Sequence, residues 1–236
     1  MRVLGILAKW VLILCIPFLL LSAGIACTLN SAWLYKYGFD KYDVSATTGL
    51  ADTELDKVAT ELIGYFNSSE EYIEITVIKD GKPFILFNQR EITHLKDVKG
   101  LIWLDYRILL GTLIYALGYA GISLFWHKHM YWRPLAWGVV GGSSLTLVLM
   151  LALGLGMLFD FDQLFLQFHF LSFANDLWQL DPANDYLIML VTQGFQYDVA
   201  LLWVVGTAGA AFVMGGVSGG FLYFSRKSLH FQQQMS

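Results

Sequence analysis

Residues 159 to 197 read FDFDQLFLQFHFLSFANDLWQLDPANDYLIMLVTQGFQY. By position the stretch connects two long apolar runs, yet Phe159, Phe161, Phe165, Phe168, Phe170, Phe173 and Trp178 crowd around one histidine, His169. Asn175, Asp176, Asp181 and Asp185 follow, and no Lys or Arg occurs from Pro134 to Ser225. A solvated loop has no use for so many rings, and a membrane-embedded helix tolerates these carboxylates poorly. The segment therefore belongs at a membrane interface, where rings meet headgroups and polar tips reach water. Such a composition encloses something.

Outward from this stretch the chain is apolar. Its 236 residues are 56% hydrophobic and only 14% charged, too little charge to cover a soluble surface of that size. Four runs, at about 10–29, 108–126, 136–159 and 199–224, each come near the roughly 20 residues needed to cross a hydrocarbon core of about 30 Å. The third and fourth carry Gly138, Gly141, Gly142, Ser143 and Ser144, then Gly206, Gly209, Gly215, Gly216, Gly219 and Gly220. Small faces let helices approach closely in lipid. The expected fold is thus an α-helical integral membrane protein, a single membrane domain over 1–236 with four transmembrane helices. A small α+β extracellular cap is expected from 30–107 and 160–198.

Charge sets the expected orientation. All 19 acidic residues fall between Asp40 and Asp105 or between Asp160 and Asp198. Arg2, Lys9, Lys128, Arg133, Arg226 and Lys227 occupy the ends and the turn between the second and third runs. The positive-inside bias puts both termini and His127-Lys128-His129 in the cytoplasm, with the cap outside. The first run has a basic start, and Gly24-Ile25-Ala26 stands before Cys27, but its near-spanning length favours an uncleaved helix. The two cysteines, Cys15 and Cys27, both lie in that run and supply neither a disulfide framework nor a spaced metal site.

In the first outer segment, Leu55, Val58, Leu62 and Phe66 recur at helical spacing behind Asp52, predicting a helix over about 53–66 with Asp52 as its cap. Ile73–Ile78 and Phe84–Phe87 flank Lys79-Asp80-Gly81-Lys82-Pro83, and Asp-Gly between β-prone runs predicts a hairpin. Arg90 to Val98 then leads into a helix that descends to the second span. Cap and bundle form one unit in this reading, because no Gly-rich linker separates them.

Topology sorts the five histidines. His127, His129 and His230 lie beside bases on the inner side, where interfacial polarity accounts for them. His94 and His169 stand on the outer side, each where an extramembrane segment meets a span. Histidine exchanges protons near neutral pH, so two at one interface can serve as acid and base; taken singly, each can equally be structural. No Gly-x-Ser-x-Gly elbow, His-Glu-x-x-His helix or phosphate loop occurs. The histidines and carboxylates match no standard metal-ligand spacing, so neither metal nor cofactor is expected. The outer bases are interspersed with acids, which gives a nucleic-acid surface no support.

Glu91-x-x-His94-Leu95-x-Asp97-Val98, with Phe168-His169-x-x-x-Phe173-x-Asn175-Asp176-x-Trp178-x-Leu180-Asp181 and Asp185, resembles the lipoprotein intramolecular transacylases of Gram-positive bacteria. The likeness extends over all four spans and both outer segments. It departs at Val191-Thr192-Gln193-Gly194-Phe195, where a Phe-Pro-Glu-like sequence is expected. The resemblance implies a membrane acyltransferase that moves the sn-2 acyl chain of a diacylglyceryl lipoprotein onto the cysteine α-amine of the same molecule. The product is the N-acyl, S-monoacylglyceryl lyso form. It implies His94 and His169 as catalytic residues, and Glu91, Asp97, Phe168, Phe173, Asn175, Asp176, Trp178 and Asp181 as substrate-binding ones. Expected partners are diacylglyceryl-modified lipoproteins and membrane lipid, in the cell membrane. Two other readings of the residues remain: a non-enzymatic membrane protein whose cap binds a partner or lipid, and a metal-dependent membrane hydrolase.

Overall fold

The computed structural model describes residues 2–126 and 132–234, with Arg2, Trp126 and residues 226–234 described as backbone only. In chain order the elements are α1 (Arg2–Leu29), α2 (Ala32–Lys41), α3 (Val44–Thr48), α4 (Asp52–Asn67), β1 (Thr76–Lys79) and β2 (Lys82–Ile85). Then come α5 (Gln89–Gly121, continued by a π-helical turn to Trp126), α6 (Trp132–Ser172), α7 (Tyr186–Leu190) and α8 (Gln193–Gln234). The expected turn at His127-Lys128-His129, and the side chains of Arg226, Lys227 and His230, lie outside the described residues.

Four helical stretches, Val3–Leu29, Gln89–Phe125, Trp132–Ser172 and Gln193–Ser225, are long and apolar enough to cross a membrane. Each covers one of the expected spans to within a residue and outruns it at one end or both. The longest of these stretches is that of α6, whose 41 residues are about twice what a bilayer core requires. The helix breaks at Asp160, where φ is −161° and ψ is 88°. The Asp160 carboxylate accepts the Gln163 N–H at 2.9 Å and so caps the helix that resumes. The aromatic stretch from 161 to 172 is therefore helical, where the sequence suggested a connector.

The chain divides into two compact units. One comprises residues 1–24, 106–155 and 203–236, the apolar parts of α1, α5, α6 and α8. Close approach here depends on glycine. A Cβ on Gly138 would lie 2.8 Å from Leu12, one on Gly142 2.6 Å from Ile16, and one on Gly24 2.6 Å from the Trp203 ring. The glycines of α8 behave differently: a Cβ on Gly215 would meet Ser143 at 2.9 Å, whereas Gly206, Gly209, Gly216 and Gly220 face nothing within 4 Å. Hydrogen bonds add direction, as Tyr115 donates to the Ala8 carbonyl at 2.8 Å and the Trp203 indole to that of Leu21 at 3.0 Å.

The other unit comprises residues 25–105 and 156–202. Its core is the amphipathic face of α4, on which Leu55, Val58, Leu62 and Phe66 are all buried, packed with Leu34, Phe39, Val44, Ile75 and Val77. Each such aliphatic side chain contributes about 1.5–3 kcal/mol by leaving water. Ala51 holds the N-cap position of α4, and Asp52 is instead its first helical residue, where its charge favours the helix dipole. The hairpin forms as its turn chemistry dictates. Asp80 and Gly81 have φ of 52° and 74°, the pair of positive values a two-residue turn needs, and Lys79 faces Lys82 across it.

The divergent corner Val191–Phe195 also belongs to this unit and packs on α2. A Cβ on Gly38 would lie 2.3 Å from the Phe195 ring, and one on Gly194 2.4 Å from Tyr42. Asp198, one turn further along α8, accepts hydrogen bonds from Lys41 at 2.7 Å, Tyr42 at 2.8 Å and Tyr37 at 3.3 Å. Glycine-for-ring complementarity fixes where α8 starts.

Candidate functional site

The N-terminus of α5 is the foundation of the site. Asn88 precedes the helix, and its side-chain oxygen accepts the N–H groups of Arg90 (2.9 Å) and Glu91 (3.1 Å). Glu91 returns the bond, accepting the Asn88 N–H at 2.7 Å. This reciprocal capping box satisfies the free amides of the first turn. The second Glu91 oxygen accepts the Leu187 N–H at 2.6 Å, tying α7 to α5. Asp185 strengthens the tie by accepting the Asn88 side-chain amide at 2.8 Å and the Asp181 N–H at 2.7 Å. Glu91 has no exposed surface. Burial raises its pKa, and the amides of Leu187 and Asn88 oppose that shift.

His94 follows one turn later, on the charged stretch of α5 that precedes the apolar span. His169 sits on the resumed half of α6. The structure brings the two rings together, centroids 6.2 Å apart with planes inclined by 33°. Both are buried, at 6% and 7% exposure. Around them stand Phe173, edge-on to His94 at 5.0 Å; Trp178, 5.0 Å from His169; Phe165 at 4.1 Å; and Phe168, perpendicular to His169 at 5.2 Å. Phe170 meets the Trp178 ring at 5.2 Å.

The two imidazoles differ in their partners. Nδ1 of His169 lies 2.8 Å from the carbonyl oxygen of Phe165, one turn back on α6. A carbonyl only accepts, so Nδ1 carries the hydrogen and Nε2 keeps the lone pair. Nδ1 of His94 is buried and has no hydrogen-bond partner among the described residues. Burial, with the neighbouring His169 adding to it, lowers the pKa of His94 to about 4. Burial also lowers that of His169, against the pull of the Phe165 carbonyl. At neutral pH both rings are uncharged and able to take a proton.

The loop after α6 is held to α5 on either side of His94. Arg90 donates to the carbonyls of Asp176 (2.9 Å) and Leu177 (3.4 Å), and Asn175 donates to the Asp97 carboxylate at 2.9 Å. The Asn175 oxygen accepts the Leu177 N–H at 3.0 Å, which turns the chain back toward Trp178. Asp181 accepts the Ala183 N–H (3.0 Å) and the Asn184 side chain (2.7 Å), and Asp176 accepts Gln179 at 3.4 Å. Of the residues implied by resemblance, His94, His169, Phe168, Phe173 and Trp178 thus form one ring cluster, and Asp97 and Asn175 form a brace beside it. Glu91, Asp176 and Asp181 make their bonds within caps and turns. Sequence reasoning missed Phe165 as the group that orients His169. The signal was a helical one, an acceptor four residues back, and it required α6 to continue past Asp160. Asn88 was legible as a cap three residues ahead of a Glu. Among the described residues no three His, Cys, Asp or Glu side chains gather as a metal site would require.

Trp178 lends itself to a direct test. Ring pairs of this kind contribute about 0.5–1.5 kcal/mol each beyond burial. Trp178→Ala is expected to lower turnover by about 10-fold or more through loss of His169 positioning, while folded yield falls much less. Turnover that drops only in proportion to folded protein, measured by size-exclusion chromatography in detergent, would assign the ring to packing alone.

A family model described as lipoprotein intramolecular transacylase Lit matches residues 10–196. Among solved structures, the membrane-integral lipoprotein intramolecular transacylase Lit from Bacillus cereus superposes with a TM-score of 0.76 at 21% identity, covering 100% of both chains. Two variants of that protein, one histidine replaced by arginine in one and by alanine in the other, match with TM-scores of 0.74 at 20% identity. Both matches cover 95% of this chain, with 95% and 96% of theirs. No curated protein matches the chain in sequence. At such identities the structures speak for the fold, a multi-pass membrane protein, and the family match speaks for the lineage. The chain belongs to the lipoprotein intramolecular transacylase family.

Proposed function

We propose that the protein transfers the sn-2 acyl chain of a diacylglyceryl lipoprotein to the α-amine of its lipidated cysteine, with His94 and His169 as the acid–base pair. The observation that carries the assignment is the pairing of two buried imidazoles 6.2 Å apart inside one aromatic enclosure. The amine nitrogen attacks the ester carbonyl, a C–N bond forms, and the bond to the glyceryl oxygen breaks. One proton leaves the nitrogen and one reaches the departing oxygen, so no oxidant, nucleophilic side chain or metal enters the balance. His169, with its tautomer fixed by Phe165, presents Nε2 as the base. His94 supplies a ring N–H to the oxygen that gains charge, and the pair passes the proton on. Donor and acceptor belong to one molecule. Holding them in reach supplies about 7–11 kcal/mol of the barrier reduction.

The aromatic face suits a lipid headgroup region. Phe168, Phe170 and Leu171 are exposed on the same stretch of α6 that carries buried His169, so membrane lipid is the expected neighbour of this face. The defining experiment incubates the purified protein in lipid with a synthetic diacylglyceryl lipopeptide and analyses the product by mass spectrometry. The expected product has unchanged mass and a fragment ion showing one acyl chain on the cysteine nitrogen. Release of free fatty acid instead would point to a hydrolase, and no change at all would remove the assignment.

Orientation follows from charge: acids are confined to 40–105 and 160–198, with isolated bases at the ends and the 127–133 turn. Both termini are assigned to the cytoplasm and the outer segments 30–107 and 160–198, which carry the site, to the extracellular side. Reporters fused after Ser236 or inserted at His129 should stay cytoplasmic, and one inserted near Gly81 should be exported. A cytoplasmic reporter at Gly81 would invert the arrangement.

A further inference from the structure

We propose that Asp97, braced by Asn175, is the seat for the substrate's α-ammonium group, so that the site selects lipoproteins whose lipidated cysteine is still a free amine. The proposal rests on the transacylase reading and names the feature of the substrate that its acceptor half must present. Asp97 lies three residues after His94 on α5, which places both on one helix face with Cβ atoms about 5–6 Å apart. Its charge reaches the His94 ring. One carboxylate oxygen accepts the Asn175 side-chain amide at 2.9 Å, and the other has no partner among the described residues. No cation among the described residues pairs with it. The nearest bases on α5 are committed elsewhere: Arg90 to loop carbonyls, Lys96 to Glu71 at 2.5 Å and the Tyr72 hydroxyl at 3.2 Å, and Lys99 to the Glu70 carbonyl at 2.6 Å and the Ser68 hydroxyl at 3.2 Å.

Three other carboxylates of the site have both oxygens occupied, and Asp176, on the loop rather than on α5, accepts Gln179 at 3.4 Å. Glu91 and Asp185 accept amides in the buried cap, and Asp181 accepts a backbone N–H and Asn184 within its own turn. Asp97 stands one turn beyond His94 on α5, held on one oxygen and open on the other among the described residues. The complementary ligand is a small cation with hydrogen-bond donors, and an α-amine with a pKa of about 7.7–8.0 is largely protonated at pH 7. A carboxylate held by a donor on one side keeps its geometry without reorganising when the cation arrives. The same charge explains turnover. The ammonium gives up one proton to solvent before attack and a second to the departing glyceryl oxygen, leaving a neutral amide, so the attraction to Asp97 ends with the reaction and the product is released.

The test uses the full-length protein in lipid nanodiscs and two unreactive probes, dialkyl-ether glyceryl lipopeptides with either a free or an N-acetylated cysteine amine. The wild-type protein is expected to hold the free-amine probe about 10-fold tighter, the usual scale of a charge-assisted hydrogen bond. Asp97→Asn keeps the shape and the Asn175 contact, and should bring that ratio close to one while leaving the N-acetyl probe's affinity within about twofold. With a reactive diester substrate, the same variant should raise KM far more than it lowers kcat. Equal wild-type affinity for the two probes would overturn the proposal, and that comparison needs no variant to fold. An undiminished ratio in Asp97→Asn would also overturn it. If neither probe binds the wild type, the transacylase reading fails, and the proposal with it.

Discussion

His94→Ala and His169→Ala proteins should each lose the N-acylated lyso product almost completely, with kcat/KM lower by about 10²–10⁴-fold. Both should remain folded and should still bind an unreactive ether lipopeptide, because neither imidazole is part of a helix cap. His169 is hydrogen-bonded to the Phe165 carbonyl, and His94 Nδ1 has no partner among the described residues to lose. Proton-transfer groups that act as a unit are not additive, so the double variant should be little slower than the slower single one. Single-turnover mass spectrometry of the lipopeptide decides the matter. Near-normal conversion by either variant would dissolve the pair. A stability readout reports on His94 independently of activity. The folded pKa of His94 lies near 4, against an ordinary 6.5, so between these values the unfolded chain binds the proton that the folded one refuses. Stability is therefore complete above pH 6.5 and falls as the pH drops toward 4. His94→Ala should flatten that acid-side decline in melting temperature.

Which parts of this were legible in the residues follows the range of the forces concerned. The four spans, the Leu55–Phe66 stripe and the Asp80-Gly81 turn are written locally, in apolar length, helical period and the two positive φ angles that those turn residues accept. The pairing of His94 with His169 drew on resemblance, because no local pattern sets the distance between a residue on α5 and one on α6. The helical state of the segment from 161 to 172 was not legible for a physical reason. Bilayer thickness ends a span near 159, but it does not end a helix, and Asp160 restarts one by capping it. With the helix restored, the Phe165 carbonyl falls beneath His169 without further assumption. The brace from Asn175 to Asp97 and the tie from Glu91 to α7 are long-range choices. Only the folded loop reveals which carboxylate is spent on the backbone and which is left open.

Glu91→Ala should cost the fold more than any other single change near the site. The Glu91 carboxylate, fully buried, accepts the Asn88 amide at the start of α5 and the Leu187 amide in α7. Removing it strands those donors where water cannot compensate, at about 1–3 kcal/mol each, and deletes half of a capping box worth about 1 kcal/mol. For a chain of this length each kcal/mol lowers the melting temperature by roughly 2–4 °C, so a fall of about 5–20 °C is expected from tryptophan fluorescence in detergent. Glu91→Gln retains one acceptor oxygen and turns a donor toward an amide that is itself a donor, so it should fall in between. Turnover should decline with the folded fraction, because His94 sits one turn beyond the cap and its register depends on it. The family resemblance offers Glu91 a different part, as a substrate-binding residue. A Glu91→Gln protein with unchanged melting temperature and a raised KM would favour that part, whereas a lowered melting temperature with KM unchanged assigns the carboxylate to holding α7 against α5. The geometry favours the second outcome, since both oxygens already have amide partners and the side chain presents no surface to a ligand.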